Sequence, residues 1–284
     1  MRSRQKGRDS IFFPQIIKRV DYLGLWKSTA IDEARTKGSS APNISEEFVR
    51  EFTYHGKMRI FYRGLFNQQY LGSTAMVSLW TESMINDMRD RCANGTLQGT
   101  YGESETAFLY QALSRSEANL RGGRVLVIGS ENPWVEACAI AAGAATVSTL
   151  EYGSIKSLHP QVDTYTPDKF REKYLKGLLP LFDSIISYSS IEHSGLGRYG
   201  DILNPYGDLQ TIARAWCVTK TSGRLILAVP GKEYDALDDA VHFNLHRVYG
   251  SVMYSHLFAN WRQLWRTSHE NKQRVYVLSK IPNT

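Results

Sequence analysis

The sequence predicts an α/β protein: a doubly wound, mostly parallel, Rossmann-like sheet preceded by a mainly helical N-terminal extension. Three observations carry this. From residue 122 onward, short apolar runs alternate with helical stretches, the pattern of parallel βαβ units joined by right-handed crossovers. The first of these runs, "GRVLVIGS", is continuously apolar and bounded by glycines, as a strand buried on both faces is. The first third instead contains stretches with helical spacing.

Taken in order, residues 1 to 45 are mixed, and the polar "TKGSSAPN" segment reads as a loop. Within "AMVSLWTESMINDMRDR", Met76, Leu79, Trp80, Met84 and Met88 recur at helical spacing and predict an amphipathic helix; "SETAFLYQALSR" predicts another. After the "GRVLVIGS" strand, "NPWVEACAIAAGA" offers Asn132 as an N-cap and Pro133 at the first helical position. "ATVSTLEYG" reads as a second strand, and a short further strand is expected within "IKSLHPQVDTYT". "TPDKFREKYLKGLL" is a helix with Thr166 as cap and Pro167 behind it. Then come a strand in "LFDSIISYSS", a helix in "GDLQTIARAWCVTK" and a strand in "SGRLILAVP". "HLFANWRQLWR" reads as helical, and the alternating "QRVYVLSK" can finish the sheet. The expected division is an extension over residues 1–95 and an α/β domain over residues 96–284.

The chain has 284 residues, 42% apolar and 22% charged, enough for one large domain with an extension. No apolar segment reaches the ~20 residues of a membrane helix. The basic N-terminus resembles the start of a signal peptide, but Pro14 and Lys18 interrupt its apolar part. No membrane span and a cytoplasmic location are therefore expected. Of the net charge of +6, Arg2, Arg4, Lys6 and Arg8 carry four, which leaves a nearly balanced body. Such a basic tail is usually solvated, and no specific nucleic-acid partner is indicated. Cys92, Cys138 and Cys217 are scattered and lack CxxC spacing, so neither a disulfide framework nor a zinc cluster is expected, and Cys138 and Cys217, in apolar helical contexts, read as buried free thiols.

In open parallel sheets, ligands bind beyond the carboxyl ends of the strands, at the switch in strand order. Gly129 ends the first strand, and the following helix begins with free N–H groups. Glu151 ends the next strand, where a carboxylate can accept hydrogen bonds from ribose hydroxyls. The turn "IGSENPW" lacks a G-x-G-x-x-G repetition, and Glu131 would repel a diphosphate, so a ligand without phosphate fits better. On spacing alone, a tight strand–helix turn at Gly129 and an exposed strand end at Glu151 are equally good readings.

The loop "SYSSIEHSGLGRYGDILNPYGD" gathers polar side chains after a buried strand. His193 is the natural base candidate because its ordinary pKa lies near neutrality, and Glu192 can orient it. A packing role for His193 competes with this. Arg198 can grip an anion, Tyr199 can stack or donate, and Asp201 is ambiguous. Asp208 reads as a helix N-cap. In "DDAVHFNLHRVYG", a helix would set His242 and His246 one turn apart, a spacing that also suits a metal. The H-E-x-x-H context is absent and no metal is assigned; His246 and Arg247 are instead expected to face the substrate.

"VLVIGS", "VSTLEYG", "FDSIISYSSIEHS" and "DLQTIARAWCVTKTSGRLILAVP" together resemble the core of class I S-adenosylmethionine-dependent methyltransferases, over about residues 120 to 230. More narrowly, "IGSENPWVEA", "LEYG", "SSIEHSGLGRYGD", "NPYGDL", "WCVTK" and "HFNLHRVYG" resemble a nematode-expanded family known as a domain of unknown function, over roughly residues 95 to 265. The resemblance implies a methyltransferase-like fold with S-adenosylmethionine as cofactor. It puts Gly129 and Glu151 at cofactor-binding positions, with Ser130 and Tyr152 beside them. The sequence departs from the broader class at "GSENPW", where a glycine-rich motif is usual. The expected function is methyl transfer to an unidentified acceptor. The alternative is a methyltransferase fold without cofactor that serves in binding or regulation; metal-dependent hydrolysis would rest on the histidines only.

Overall fold

The computed structural model describes residues 45–62, 77–199, 201–231, 239–267 and 273–282. The basic tail, Pro14, Lys18, Met76 and the polar segment 36–43 lie outside them. Among these residues, seven strands form the main sheet: β3 (Arg124–Ile128), β4 (Thr146–Leu150), β6 (Val162–Tyr165), β7 (Phe182–Tyr188), β8 (Thr219–Val229), β11 (Trp261–Arg266) and β12 (Arg274–Lys280). Their order is β11-β12-β8-β7-β3-β4-β6. The five from β6 to β8 are parallel, and β12 and β11 close the far side antiparallel. The chain winds outward from β3 through β4 to β6, then returns to lay β7 on the other side of β3. The switch in winding direction therefore falls between β3 and β7. This is the doubly wound sheet the sequence predicts.

Successive side chains of a strand point to opposite faces. Val125 and Val127 enter one apolar layer while Leu126 and Ile128 enter the other, which is why the run is apolar throughout. The layer holding Val125 and Val127 is built with α2 (Glu82–Ala93), α3 (Glu103–Leu113) and α4 (Trp134–Ala141). Every residue of α4 from Trp134 to Ile140 is buried, as expected of a helix roofed by other helices. The opposite layer takes α5 (Pro167–Leu175), α6 (Gly207–Val218), α7 (Ser251–Leu257) and Phe52 from α1 (Glu46–Phe52).

Four local expectations change. Residues 77–80 form strand β2 (Val77–Trp80), parallel to β5 (Ser154–Ser157), and α2 begins after it with Thr81 accepting from the Met84 N–H at 3.2 Å. The alternating burial of β2 is a two-residue period that overlaps a helical spacing over so short a run. Residues 155–166 contribute both β5 and β6, so the expected short strand is present as β6 and a second one precedes it. The helical reading of residues 256–266 gives way to the end of α7 and strand β11. Finally, β9 (Ala240–Phe243) and β10 (His246–Val248) form a hairpin in a small sheet with β1 (Arg59–Tyr62). His242 and His246 thus face each other across strands instead of lying one turn apart on a helix.

The cysteine expectation is also corrected. Cys92, in the last turn of α2, and Cys138, in α4, form a disulfide with their Cα atoms 5.6 Å apart. The bond arises because α2 packs across α4, a contact that spacing along the chain cannot reveal. Cys217 is half-buried and outside it. Among the described residues no helix is long and apolar enough to cross a membrane, and no group of three His, Cys, Asp or Glu is placed to hold a metal.

Candidate functional site

A cavity of about 720 Å³ opens at the carboxyl ends of β3, β4 and β7, across the switch point. That is within the usual size of a small-molecule site. One wall is the end of β3 and its turn. Gly129 has φ 74°, and a Cβ there would lie 1.8 Å from Ser190 Oγ. Its lack of a side chain thus makes room for the loop after β7. The next residue, Ser130, gives its N–H to Glu151 Oε2 at 2.9 Å, which ties the first turn to the end of β4.

Glu151 does not project as an exposed strand end. Its Oε1 accepts from the N–H groups of Tyr152 (2.6 Å) and Gly153 (3.4 Å). Burial raises its pKa, and the three backbone N–H groups oppose that rise. A carboxylate offers about four lone-pair sites, so roughly one remains on Oε2 for a ligand hydroxyl. Tyr152, 40% exposed, lines the rim beside it. Ile128 and Leu150 supply apolar wall, and Asp168 in the first turn of α5 adds a further carboxylate. With Glu131 and Asp201, the carboxylates around the cavity outnumber the guanidinium groups of Arg171 and Arg214. This donor set fits a nucleoside bearing positive charge, as S-adenosylmethionine is, and disfavours a diphosphate.

The other wall comes from the loop after β7. Residues 191–193 form a single 3-10 turn that carries Glu192 and His193. His193 lines the cavity. Its Nδ1 lies 2.5 Å from the Leu245 carbonyl oxygen, which can only accept, so the ring proton sits on Nδ1 and Nε2 keeps its lone pair. Burial pushes its pKa down to about 3, so the ring stays neutral through the physiological range. Glu192, with 0% exposure, sits behind it, its Oε1 3.8 Å from His193 Nε2. Oε1 accepts from Ser189 Oγ at 2.7 Å, and Oε2 has no hydrogen-bond partner. Burial raises this carboxyl's pKa to about 7.

Tyr199 lines the cavity with its ring edge-on to His193, and burial pushes its hydroxyl up to about 12. Arg198 lies over the Tyr199 ring at 5.0 Å and is not part of the cavity lining. Asp201 reaches the cavity, but its carboxylate accepts from the N–H groups of Gly195 (2.7 Å) and Tyr199 (3.3 Å) and so holds the loop's shape.

Two expectations for this loop are corrected. Arg247, only 1% exposed, does not face a substrate. Its Nη1 donates to the carbonyls of Ser194 (2.6 Å) and Glu192 (3.4 Å), and its Nη2 to those of Pro205 (3.1 Å) and Asn204 (3.3 Å). It cinches both ends of the loop from beneath. Asp208 is not a cap: it is fully buried, accepts from Tyr249 Oη at 3.0 Å and lies 3.6 Å from Arg247 Nε. His246, beside His242 and 6.3 Å from the His193 ring, is off the cavity wall. The structure therefore brings Gly129, Ser130, Glu151, Tyr152, His193, Tyr199 and Asp201 around one cavity, and leaves Glu192, Arg198, His246 and Arg247 behind it. It also adds to the wall Trp134, the last residue of the "IGSENPW" turn, and Tyr101, which carried no positional signal in the sequence.

The family described as "Caenorhabditis protein of unknown function, DUF268" matches residues 122–283. The chain belongs to that family. The matched segment takes in the whole main sheet and all of the cavity lining except Thr100 and Tyr101. No curated protein matches the chain. Solved structures similar to it include 1,6-didemethyltoxoflavin-N1-methyltransferase of Burkholderia thailandensis, with bound 1,6-didemethyltoxoflavin and S-adenosylhomocysteine (12% identity, 69% of this chain and 88% of that one, TM-score 0.40). Another is a Haloferax volcanii protein proposed to be a methyltransferase, in complex with the Trm112 methyltransferase activator (12% identity, 70% and 99%, TM-score 0.43). A third is a Streptococcus mutans protein proposed to be an S-adenosylmethionine-dependent methyltransferase (12% identity, 60% and 47%, TM-score 0.40). This chain spans about half the length of the Streptococcus mutans protein.

Proposed function

We propose that this chain is an S-adenosylmethionine-dependent methyltransferase. The observation that carries the reading is one cavity at the switch point, with the Gly129–Ser130 turn and Glu151 on one wall and His193 with Tyr199 on the other. When bound, the cofactor supplies an electrophilic methyl group on a sulfonium. Glu151, with one acceptor position left, would hold a ribose hydroxyl, Ile128 and Leu150 would supply apolar wall for the base, and the surrounding carboxylates would favour the positive charge. On the facing wall, His193 Nε2 accepts a hydrogen bond from the methyl acceptor and orients it, and Tyr199 limits how that acceptor can lie. With so low a pKa, His193 aligns better than it removes protons. Arg247 and Asp201 hold this wall in place.

A second reading, a cofactor-less binding module, is favoured by one feature: Ser190 occupies the space above Gly129 that a close-lying ligand would use. Calorimetric titration with S-adenosylmethionine and S-adenosylhomocysteine separates the two. Binding of both is expected, with roughly tenfold weaker affinity for Glu151→Gln, which keeps a neutral acceptor but loses the charge assistance, a difference of about 1–1.5 kcal/mol. Absence of heat and of any thermal shift at millimolar ligand would leave the binding module as the reading.

A further inference from the structure

Beneath the Ser130 turn lies a group the site has not yet used. Glu136, on α4, is fully buried, in a helix that is otherwise apolar from Trp134 to Ala141. Its Oε1 is 2.7 Å from Thr149 Oγ1 on β4, and its Oε2 is 2.9 Å from Ser130 Oγ. Ser130 Oγ is also 2.9 Å from the carbonyl oxygen of Asn132.

The protons can be counted. Ser130 Oγ has one proton and two oxygens at 2.9 Å; given to the Asn132 carbonyl, which only accepts and also takes the Trp134 N–H at 2.8 Å, that proton leaves Glu136 Oε2 without a donor, and given to Glu136 it leaves the Asn132 contact without one. Both contacts are hydrogen bonds at once only if Glu136 supplies a proton. Thr149 donates its own proton to Oε1, which completes a chain from Thr149 through Glu136 and Ser130 to the Asn132 carbonyl. An ionised carboxylate in this place would set two acceptor oxygens against each other, with no cation in its hydrogen-bonding shell to offset the burial. We propose that Glu136 is a positioning residue that works as a neutral acid, clasping the Ser130 turn to β4 so that the Ser130 N–H and Glu151 stay locked together at the cavity. This rests on the proposed cofactor reading for its purpose, though not for its chemistry. It also supplies a physical replacement for missing glycines: the turn is fixed from below by a buried acid.

Burial raises the Glu136 pKa to about 7, with Glu151 on β4 adding to the rise and the Thr149 and Ser130 hydroxyls opposing it. Glu131, in the turn itself, acts in the same direction on Glu151. A carboxyl raised on folding stabilises the fold at low pH, and that contribution is lost as pH rises from about 4.5 through about 7. Glutamine reproduces the neutral acid, donating to Ser130 and accepting from Thr149, without titrating.

The test has a ligand-free arm and a binding arm. Melting temperatures of the wild type and Glu136→Gln are compared from about pH 5 to pH 8, where the wild type is expected to fall by several degrees more than the variant. Parallel curves would overturn the neutral-acid assignment whether or not any cofactor binds. In the binding arm, S-adenosylhomocysteine is titrated calorimetrically. Wild-type affinity is expected to drop by up to about tenfold per pH unit above 7, with Glu136→Gln losing much less. Any fall due to Glu151 or Glu192 persists in the variant and cancels in the comparison. Ser130→Ala, which breaks the chain at its middle, is expected to bind about tenfold more weakly; unchanged affinity would overturn the clasp. If neither protein binds at any pH, the cofactor reading and the clasp's purpose fall, while the melting curves still decide the protonation state.

Discussion

Replacing Arg247 with alanine is expected to destabilise the fold by about 3–5 kcal/mol, the usual cost of removing one partner of a buried ion pair. The guanidinium is almost wholly enclosed and serves five oxygens: four loop carbonyls and the Asp208 carboxylate. Alanine would leave Asp208 charged, buried and held by Tyr249 only through one oxygen, its Oδ1 already lacking a partner. It would also strip donors from the carbonyls of Glu192, Ser194, Asn204 and Pro205. Urea unfolding gives the number directly, and a loss below about 1 kcal/mol, the level of an exposed pair, would contradict the cinching role. Arg247→Lys should recover only part of the loss, because a single ammonium cannot reach carbonyls on both sides of the loop as a planar fork does.

Reduction of the Cys92–Cys138 bond is expected to cost a similar amount. The cysteines are 46 residues apart, and closing a loop of that length limits the unfolded chain by roughly 4 kcal/mol in the entropic treatment of cross-links. For a protein of this size that corresponds to a melting temperature lower by about 10 °C. Scanning the protein with and without reductant, alongside the Cys92→Ala/Cys138→Ala double variant, checks this. A change under about 2 °C would mean that the α2–α4 packing alone carries the contact. The bond also bears on the cytoplasmic expectation, since reducing compartments keep such thiols apart. Thiol alkylation of the protein taken from its native compartment reads out which state it holds there.

The sheet was legible in the sequence because parallel strands buried on both faces are largely apolar, most plainly in β3 and β8. Val125 through Ile128 form such a run, and from it through β8 the strands and helices come in the predicted order with β5 added; beyond β8 the order departs, with β9, β10 and β11 in place of helical readings. Short edge elements were less legible. β2 has four residues, too few for its two-residue period to stand out beside the helical spacing of Met84 and Met88 in the helix that follows. The cavity wall carried by Gly129 and Glu151 could be inferred because sheet topology places strand ends together. The roles of Arg247 and Asp208 could not. Their burial depends on each other and on distant segments: Arg247 on four carbonyls some 40 to 55 residues back along the chain, and Asp208 on Arg247 and Tyr249 about 40 residues ahead. Glu136 did carry a signal: it is a lone acid within an otherwise apolar helix, which in a buried element means a satisfied acid with a specific partner.

The close approach of Ser190 to Gly129 joins the two halves of the winding at the point where they diverge. The turn after β3 and the loop after β7 approach each other backbone to side chain there, too closely to admit a Cβ on Gly129. On the proposed function the two occupants of the cavity lie on either side of this joint, and a displacement of one wall by either occupant is expected to reach the other. Whatever free energy one occupant transmits through that joint to the second is returned by the second to the first in equal measure.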